Sequence, residues 1–524
     1  MTSLRRGLSV LGVLAAGLAA LLSLGVATAS AGPLSPTQDP FYSYSGSLTG
    51  VAPGAVLRTR TVSFDAMGLT VPVTTSQVLY RTTDELGNPT VAVATVIEPL
   101  TGATHKIVSY QWAYDGMAAN CEPSYAIQGG TPTESTNADE QDISVLPLLA
   151  GDTVVIPDYE TEGNDFAAGR EEGQATLDGI KAAEQLLDLP ASSQVAIMGY
   201  SGGAIATDWA AELASTYAPT VNLVGTAIGG VAVDLNHNLT YVNGSAVWSG
   251  AIPAALVGIG RAFDLNLSTY LSSYGMSIAD KVGASCLETD LGGFPGLTYE
   301  QLLKPRYTNI NQIPAIVNPL NTEIMGTGGT PEEPIYMGIG DADGVGDDVM
   351  VDADDEALAT KYCNDGLSVD FNLYKGDNHE SAGTAFLPQA AAWVIGRLQG
   401  VPPHDGCSEI PAGDSLAPLA TVAAPAAAAT TTAKLQFQLR SASGRTVHVR
   451  LRAVHAAIKH VTVEVLNSAN RVVASRSMTA ARGKLLIVTL RARSRLQPGT
   501  YRVIARAGTR TLARRTFTVK RAGA

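Results

Sequence analysis

Past residue 26 the chain has no uninterrupted apolar run long enough to cross a bilayer, which excludes a multi-span membrane protein. Cysteine is scarce. Cys121, Cys286, Cys363 and Cys407 form no C-x-x-C pair and no cluster with histidine, so nothing suggests a zinc site. Acidic residues all but vanish near the end. From Lys434 onward twenty Lys and Arg face one acid, Glu464, a net charge of +19. The chain as a whole carries −13, so the rest carries −32. Such a split argues for separate domains with different jobs. The basic segment has only Phe437, Tyr501 and Phe517 as aromatics. That leaves little for base stacking, and nucleic acid is not an expected partner.

What is present begins with an export signal. Residues 1–6 are basic, Gly7 to Val26 is apolar, and Ala29-Ser30-Ala31 offers a small-residue cleavage site. Cleavage after Ala31 and a secreted, extracellular protein are expected. An even number of cysteines then suggests two disulfides, with three possible pairings. At 524 residues, two or three domains are expected.

The stretch QVAIMGYSGG from Gln194 to Gly203 is the main signal. A short apolar strand runs into Gly199-Tyr200-Ser201-Gly202-Gly203, and a helical pattern follows as far as Pro219. Strand, G-x-S-x-G and helix together make a nucleophile elbow. Ser201 sits on a tight turn that lifts its hydroxyl above the sheet. Gly199 and Gly203 leave room for backbone to pass close on either side. The Gly202 N–H, opening the helix, faces the place where an oxyanion forms.

Around the elbow, strands alternate with helices. Val56 to Pro99 reads as antiparallel edge strands, and further strands start at Lys106, Thr153, Asn222, Pro334 and Ser368. This predicts a mostly parallel sheet covered on both faces. Residues 235–318 break the alternation and read as an inserted helical cap. Its Ala, Leu, Ile and Val suit an acyl-chain substrate. Residues 412–433 are Ala/Pro/Thr-rich and read as a linker. Residues 434–524 hold short alternating segments with recurring turns, the signature of a small all-β, immunoglobulin-like sandwich. The fold class expected is thus an α/β-hydrolase with a helical cap over residues 32–411, followed by that sandwich.

A serine nucleophile needs a base and an orienting acid, in the chain order Ser, Asp, His for this fold. His379, in LYKGDNHES just past a strand, is the expected base; His404 in VPPHDGC reads as surface. The acid should follow PIYMGIG, where Asp341, Asp343, Asp347 and Asp348 crowd together. A calcium loop fits poorly, because Val345 fills a ligand position. Asp347, two residues ahead of Val349, is the preferred acid, with Asp343 the alternative.

At this point the chain resembles the secretory lipase family. The stretches that carry the likeness are GAVLRTR at 54–60, SYQWAYDGMAANCEPSYAI at 109–127, VVIPDYETEGNDFAAGREEGQATLDGI at 154–180, the elbow with its helix, and the His379 segment. Together they span roughly residues 38–411. The resemblance implies a Ser201–Asp347–His379 triad and an oxyanion hole made by Asp115 and the Gly202 N–H; the Asp115 side chain donates only when protonated, which favours its backbone N–H as the donor. It also implies the disulfides Cys121–Cys286 and Cys363–Cys407. The acid loop departs from the family pattern, being Gly/Asp-rich without the proline that often follows the acid.

The expected function is a secreted triacylglycerol lipase acting on lipid or ester at a lipid–water interface, with no metal or organic cofactor. An esterase of soluble substrates or an acyltransferase could use the same triad. A reading of another class makes the basic C-terminal domain the working part, holding the protein on an anionic polymer or cell wall.

Overall fold

The computed structural model describes residues 32–66, 69–130, 140–287, 291–422, 435–453, 458–481, 484–507 and 510–520. The expected signal segment at 1–31 and half of the expected linker, 423–433, lie outside the described residues. Contacts divide the chain into two units, Met1–Ala423 and Ala424–Ala524.

In the first unit β1 (Val56–Ala66), β2 (Leu69–Thr83) and β3 (Pro89–Glu98) form an antiparallel meander. Six strands follow: β4 (Ile107–Gln111), β5 (Thr153–Pro157), β6 (Gln194–Tyr200), β7 (Asn222–Gly229), β8 (Ile335–Asp341) and β9 (Val369–Lys375). These pair parallel with one another, and β5 closes antiparallel on β3. The sheet order is β1-β2-β3-β5-β4-β6-β7-β8-β9. Parallel strands must be covered on both faces, and β4 and β5 are buried at every residue.

The covering helices are α1 (Gly169–Leu186), α2 (Gly202–Tyr217), α3 (Leu235–Tyr241), α4 (Ala251–Ala262), α5 (Ser273–Val282), α6 (Pro314–Thr322), α7 (Asp352–Asn364) and α8 (His379–Leu398). The alternation of β6 shows the two layers. Val195 and Ile197 enter the core beneath α1 and α2, while Ala196 and Met198 enter the one beneath α8. Full burial of each large apolar side chain there contributes about 1.5–3 kcal/mol. α1 and α2 touch backbone to backbone, because a Cβ on Gly173 would lie 2.6 Å from the Trp209 carbonyl carbon.

Between β7 and β8 lie α3 to α6 and the single turn Tyr299–Leu302. This insertion is fastened to the loop after β4. Arg261 of α4 donates to the carbonyls of Met117, Asn164 and Gly283, and Leu287 N–H donates to Asp115 O at 3.1 Å. The disulfide Cys121–Cys286 makes the same connection covalently. Cys363 at the end of α7 is joined to Cys407.

The Ala/Pro/Thr stretch does not leave the first unit at residue 412. Asp414 N–H donates to Ala353 O at 3.1 Å, and Val422 N–H to Asn311 O at 3.0 Å. Asn321 both accepts from Leu419 N–H and donates to its carbonyl, at 2.9 and 3.0 Å. Low complexity marked a linker, but extended backbone can pair its polar groups with side chains of the body whatever its composition.

The second unit is all-β. A sheet β10 (Leu435–Ser443), β11 (Thr446–Ala453) and β14 (Leu486–Arg491) accompanies a second of order β13-β12-β15-β16, made of β12 (Ile458–Leu466), β13 (Val472–Ala480), β15 (Gly499–Ala507) and β16 (Arg510–Val519). Alternate residues Val447, Val449 and Leu451 join Val461, Val463, Val465 and Val503 in one core, which is the period of two expected of strands with one face buried.

The Cys121–Cys286 bond closes a loop with a sequence separation of 165. Replacing both cysteines with serine should destabilise the first unit by about 2–5 kcal/mol, seen as a lower urea midpoint for the double variant.

Candidate active site

At the carboxyl ends of the parallel strands the chain places four polar groups. Ser201 follows β6, Asp115 follows β4, Asp347 follows β8, and His379 follows β9 and opens α8. Crevices beyond these strand ends are where open α/β sheets bind ligands.

Ser201 has φ 56° and ψ −125°, a backbone conformation costing about 1–3 kcal/mol for a residue with a side chain. Its neighbours make the turn possible. A Cβ on Gly199 would lie 2.3 Å from Gly203 O, and one on Gly203 would lie 2.0 Å from Gln111 O. The Ser201 N–H donates to Gly229 O on β7 at 2.9 Å. The hydroxyl is thereby held above the sheet.

Ser201 Oγ lies 2.8 Å from His379 Nε2. His379 Nδ1 lies 2.7 Å from Asp347 Oδ2. Asp347 is fully buried, and its second oxygen accepts from the N–H groups of Val349 and Met350 at 3.1 and 2.7 Å. The His379 N–H donates to Asp347 O at 2.8 Å, so backbone as well as side chains joins the two loops. A carboxylate held in this way fixes an imidazole with Nδ1 protonated and Nε2 free to accept from the serine.

The Asp cluster divides its work. Asp343 Oδ1 accepts from Val345 and Gly346 N–H, and Oδ2 accepts from Tyr241 OH at 3.0 Å. Asp341 Oδ1 accepts from Gly344 N–H. Those two carboxylates shape the turn, and Asp347 is the one brought to His379. His404 is exposed beside Asp370, away from the serine.

Asp115 lies over Gly202. A Cβ at 202 would lie 1.7 Å from Asp115 Oδ1. Burial pushes the Asp115 carboxyl up to about 7, against the opposing pull of His379. Its loop is held by Glu160, whose carboxyl accepts from Gly116 N–H at 3.0 Å, and by Tyr159 OH, which donates to Trp112 O at 2.6 Å. The Gly202 N–H belongs to the first turn of α2, where helix N–H groups have no partner within the helix.

Two side chains about the imidazole carry no motif. Tyr200 lies tilted against His379, with ring centres 5.0 Å apart, and donates to its carbonyl at 2.7 Å. Trp248, from the insertion, meets the imidazole edge-on at 5.3 Å. Neither the position before the nucleophile nor a lone tryptophan far along the chain marks such a contact. A cavity of about 720 Å³ opens above these groups, walled by Leu239, Val242, Trp248, Ala255, Leu291 and Met350. Its size and apolar lining match those of small-molecule sites.

The secretory lipase family model matches residues 127–406. Lipase 6 of Candida albicans is 33% identical over 398 residues, covering 71% of this chain and 84% of its own length. Lipase A of Arthroderma benhamiae is 30% identical over 400 residues, covering 72% and 82%. The crystal structure of Candida antarctica lipase A in its closed state superposes with a TM-score of 0.67 at 28% identity, over 75% of this chain and 93% of that one.

The raised Asp115 carboxyl gives a pH signature. Below about 7 it keeps its proton and can donate to a developing oxyanion; above about 7 it can only accept. Turnover should therefore fall as pH rises through that value. In Asp115→Asn, whose amide donates at every pH, the alkaline fall should flatten in a kcat–pH profile.

Proposed function

This chain belongs to the secretory lipase family, and on that footing we propose that Ser201, His379 and Asp347 are its catalytic triad. It is a lipase, a carboxylic ester hydrolase, with an α/β-hydrolase fold. The observation that carries the assignment is the continuous relay from Ser201 Oγ to His379 to Asp347, at 2.8 and 2.7 Å, on the floor of an apolar cavity.

In the proposed mechanism Ser201 Oγ attacks the ester carbonyl while His379 Nε2 takes its proton. The negative oxygen is held by Gly202 N–H and the Asp115 carboxyl. As the tetrahedral adduct collapses, His379 returns the proton to the leaving alcohol, and an acyl-enzyme remains on Ser201. Water, deprotonated by the same imidazole, then releases the fatty acid. Asp347 stabilises the imidazolium formed in each half. The helices α3 to α6 act as a cap, and the side chains they bring to the cavity receive the acyl chain. The basic-apolar start of the chain and its two disulfides support export.

Hydrolysis of p-nitrophenyl esters from two to sixteen carbons tests this reading. Activity should rise toward long chains and be absent in Ser201→Ala. Asp347→Asn should lower kcat by about 10³–10⁴, while Asp343→Asn keeps most of it. Activity confined to short chains would move the function to a soluble-ester esterase.

A second reading concerns the C-terminal unit. Among the described residues seven strands split three and four, and Tyr501 OH donates to Gln497 O at 3.1 Å while accepting from Gln497 N–H. That contact has the form of the tyrosine corner of immunoglobulin-like sandwiches and supports that reading of the unit. With Val447, Val449 and Leu451 buried, the alternation turns His448, Arg450 and Arg452 to the other face of β11. We propose that this basic unit binds an anionic polymer surface. The full chain should be retained on phosphocellulose at low salt and released at high salt, and a chain ending at Val422 should pass through.

A further inference from the structure

Away from the serine, three segments distant in sequence bring ligand-type side chains to one spot. His237 lies on α3, and Asp354 lies in the first turn of α7. Asp414 lies on the stretch after α8, where its N–H is bound to Ala353 O. One donor atom from each lies within 4.8 Å of the other two. His237 Nδ1 is 2.9 Å from Asp354 Oδ1. On the other side of the imidazole, His237 Nε2 is 3.8 Å from Asp234 Oδ2.

This is more than an exposed acidic cluster. The Asp354 side chain is 1% exposed, its Oδ2 has no hydrogen-bond partner in the structure, and the Asp414 carboxyl lies beside it. Asp234 is fully buried, and its Oδ2 also lacks a donor. A buried oxygen without a donor costs about 1–3 kcal/mol, more when charged. Three carboxylates thus converge on one half-exposed imidazole. The set has the form of a metal site: an imidazole with one nitrogen toward two carboxylates and the other toward a supporting carboxylate. His237 and Asp414 remain open to solvent on one side, which gives an ion a way in.

We propose that His237, Asp354 and Asp414 bind a divalent transition-metal cation, of which Zn²⁺ is the best match, with Asp234 supporting the imidazole from behind. A mixed nitrogen and carboxylate donor set favours Zn²⁺ over the oxygen-seeking Ca²⁺ and Mg²⁺. Two ligand atoms each about 2.1 Å from a tetrahedral ion lie about 3.4 Å apart, so the 2.9 Å between His237 Nδ1 and Asp354 Oδ1 has to open by about 0.5 Å to admit one. The exposed Asp414 closes in by side-chain rotation. The bound ion would tie together α3, α7 and the stretch ending at Val422. It takes no part in ester cleavage.

The test uses untagged full-length protein, stripped with chelator and dialysed. Isothermal titration with Zn²⁺ should show one saturable site per chain, and the melting temperature should rise with Zn²⁺ but not with Ca²⁺ or Mg²⁺. Asp414→Asn, changed at an exposed position, should fold, keep ester turnover and lose both signals. Asp234→Asn, which preserves the helix cap, should weaken binding by about 10–100-fold. The proposal is overturned if Zn²⁺ shows no saturable site, if Asp414→Asn binds like the parent, or if Ca²⁺ is preferred. In those cases the cluster is held by its own hydrogen bonds alone or by oxygen ligands without the imidazole.

Discussion

At Ser201 the chain must pass from a buried strand into a helix within one residue at φ 56°, and the first unit is arranged so that this strained turn persists. Gly199 gives way to the carbonyl of Gly203, Gly203 gives way to Gln111 of the adjacent strand, and β7 receives the Ser201 N–H. Any side chain larger than hydrogen at either glycine would push α2 off the sheet. The strain, about 1–3 kcal/mol, is small beside the burial of β6 on both faces. In return the hydroxyl and the free N–H groups at the start of α2 are aimed into the same crevice.

A parallel sheet turns one tight turn into a site. Because β4, β6, β8 and β9 run the same way, the residues just after each reach one edge, although Asp115 and His379 are far apart in sequence. Asp347 and His379 are then locked by two bonds, side chain to ring and carbonyl to amide. The insertion after β7 supplies the wall of the cavity and Trp248. The Cys121–Cys286 bond and the Arg261 guanidinium hold that insertion against the Asp115 loop, so the cavity wall is tied to the loop that lies over Gly202.

Much of this was legible in one dimension. The apolar runs of β4 to β9 and the G-x-S-x-G turn are local signals, since a strand buried on both faces and a turn without Cβ atoms impose their own residue types. His379 was legible from its place after a late strand. The choice between Asp347 and Asp343 was not, because both lie in one Gly/Asp-rich loop and only the path of the turn decides which carboxylate meets the imidazole. Tyr200, Trp248 and Glu160 had no signal at all; their roles come from packing between segments. Composition also misread residues 412–422, whose backbone is paired with the body of the first unit.

Charge shows the same division. The count of −32 for the first part of the chain treats every carboxyl as ionised. Burial pushes Glu122, Glu160, Glu172 and Asp355 well above the usual carboxylate range, so that count is an upper bound on the negative charge. By itself the sequence determined the strand and helix periods, the tight turn at Ser201, and the presence of a basic β-rich segment at the end of the chain. These follow from rules that act between near neighbours along the chain. Only the tertiary structure decided which aspartate meets His379, what walls the cavity, which carboxyls are buried, and which of them meet His237. Those depend on distance and solvent exclusion between segments that the order of residues does not bring together.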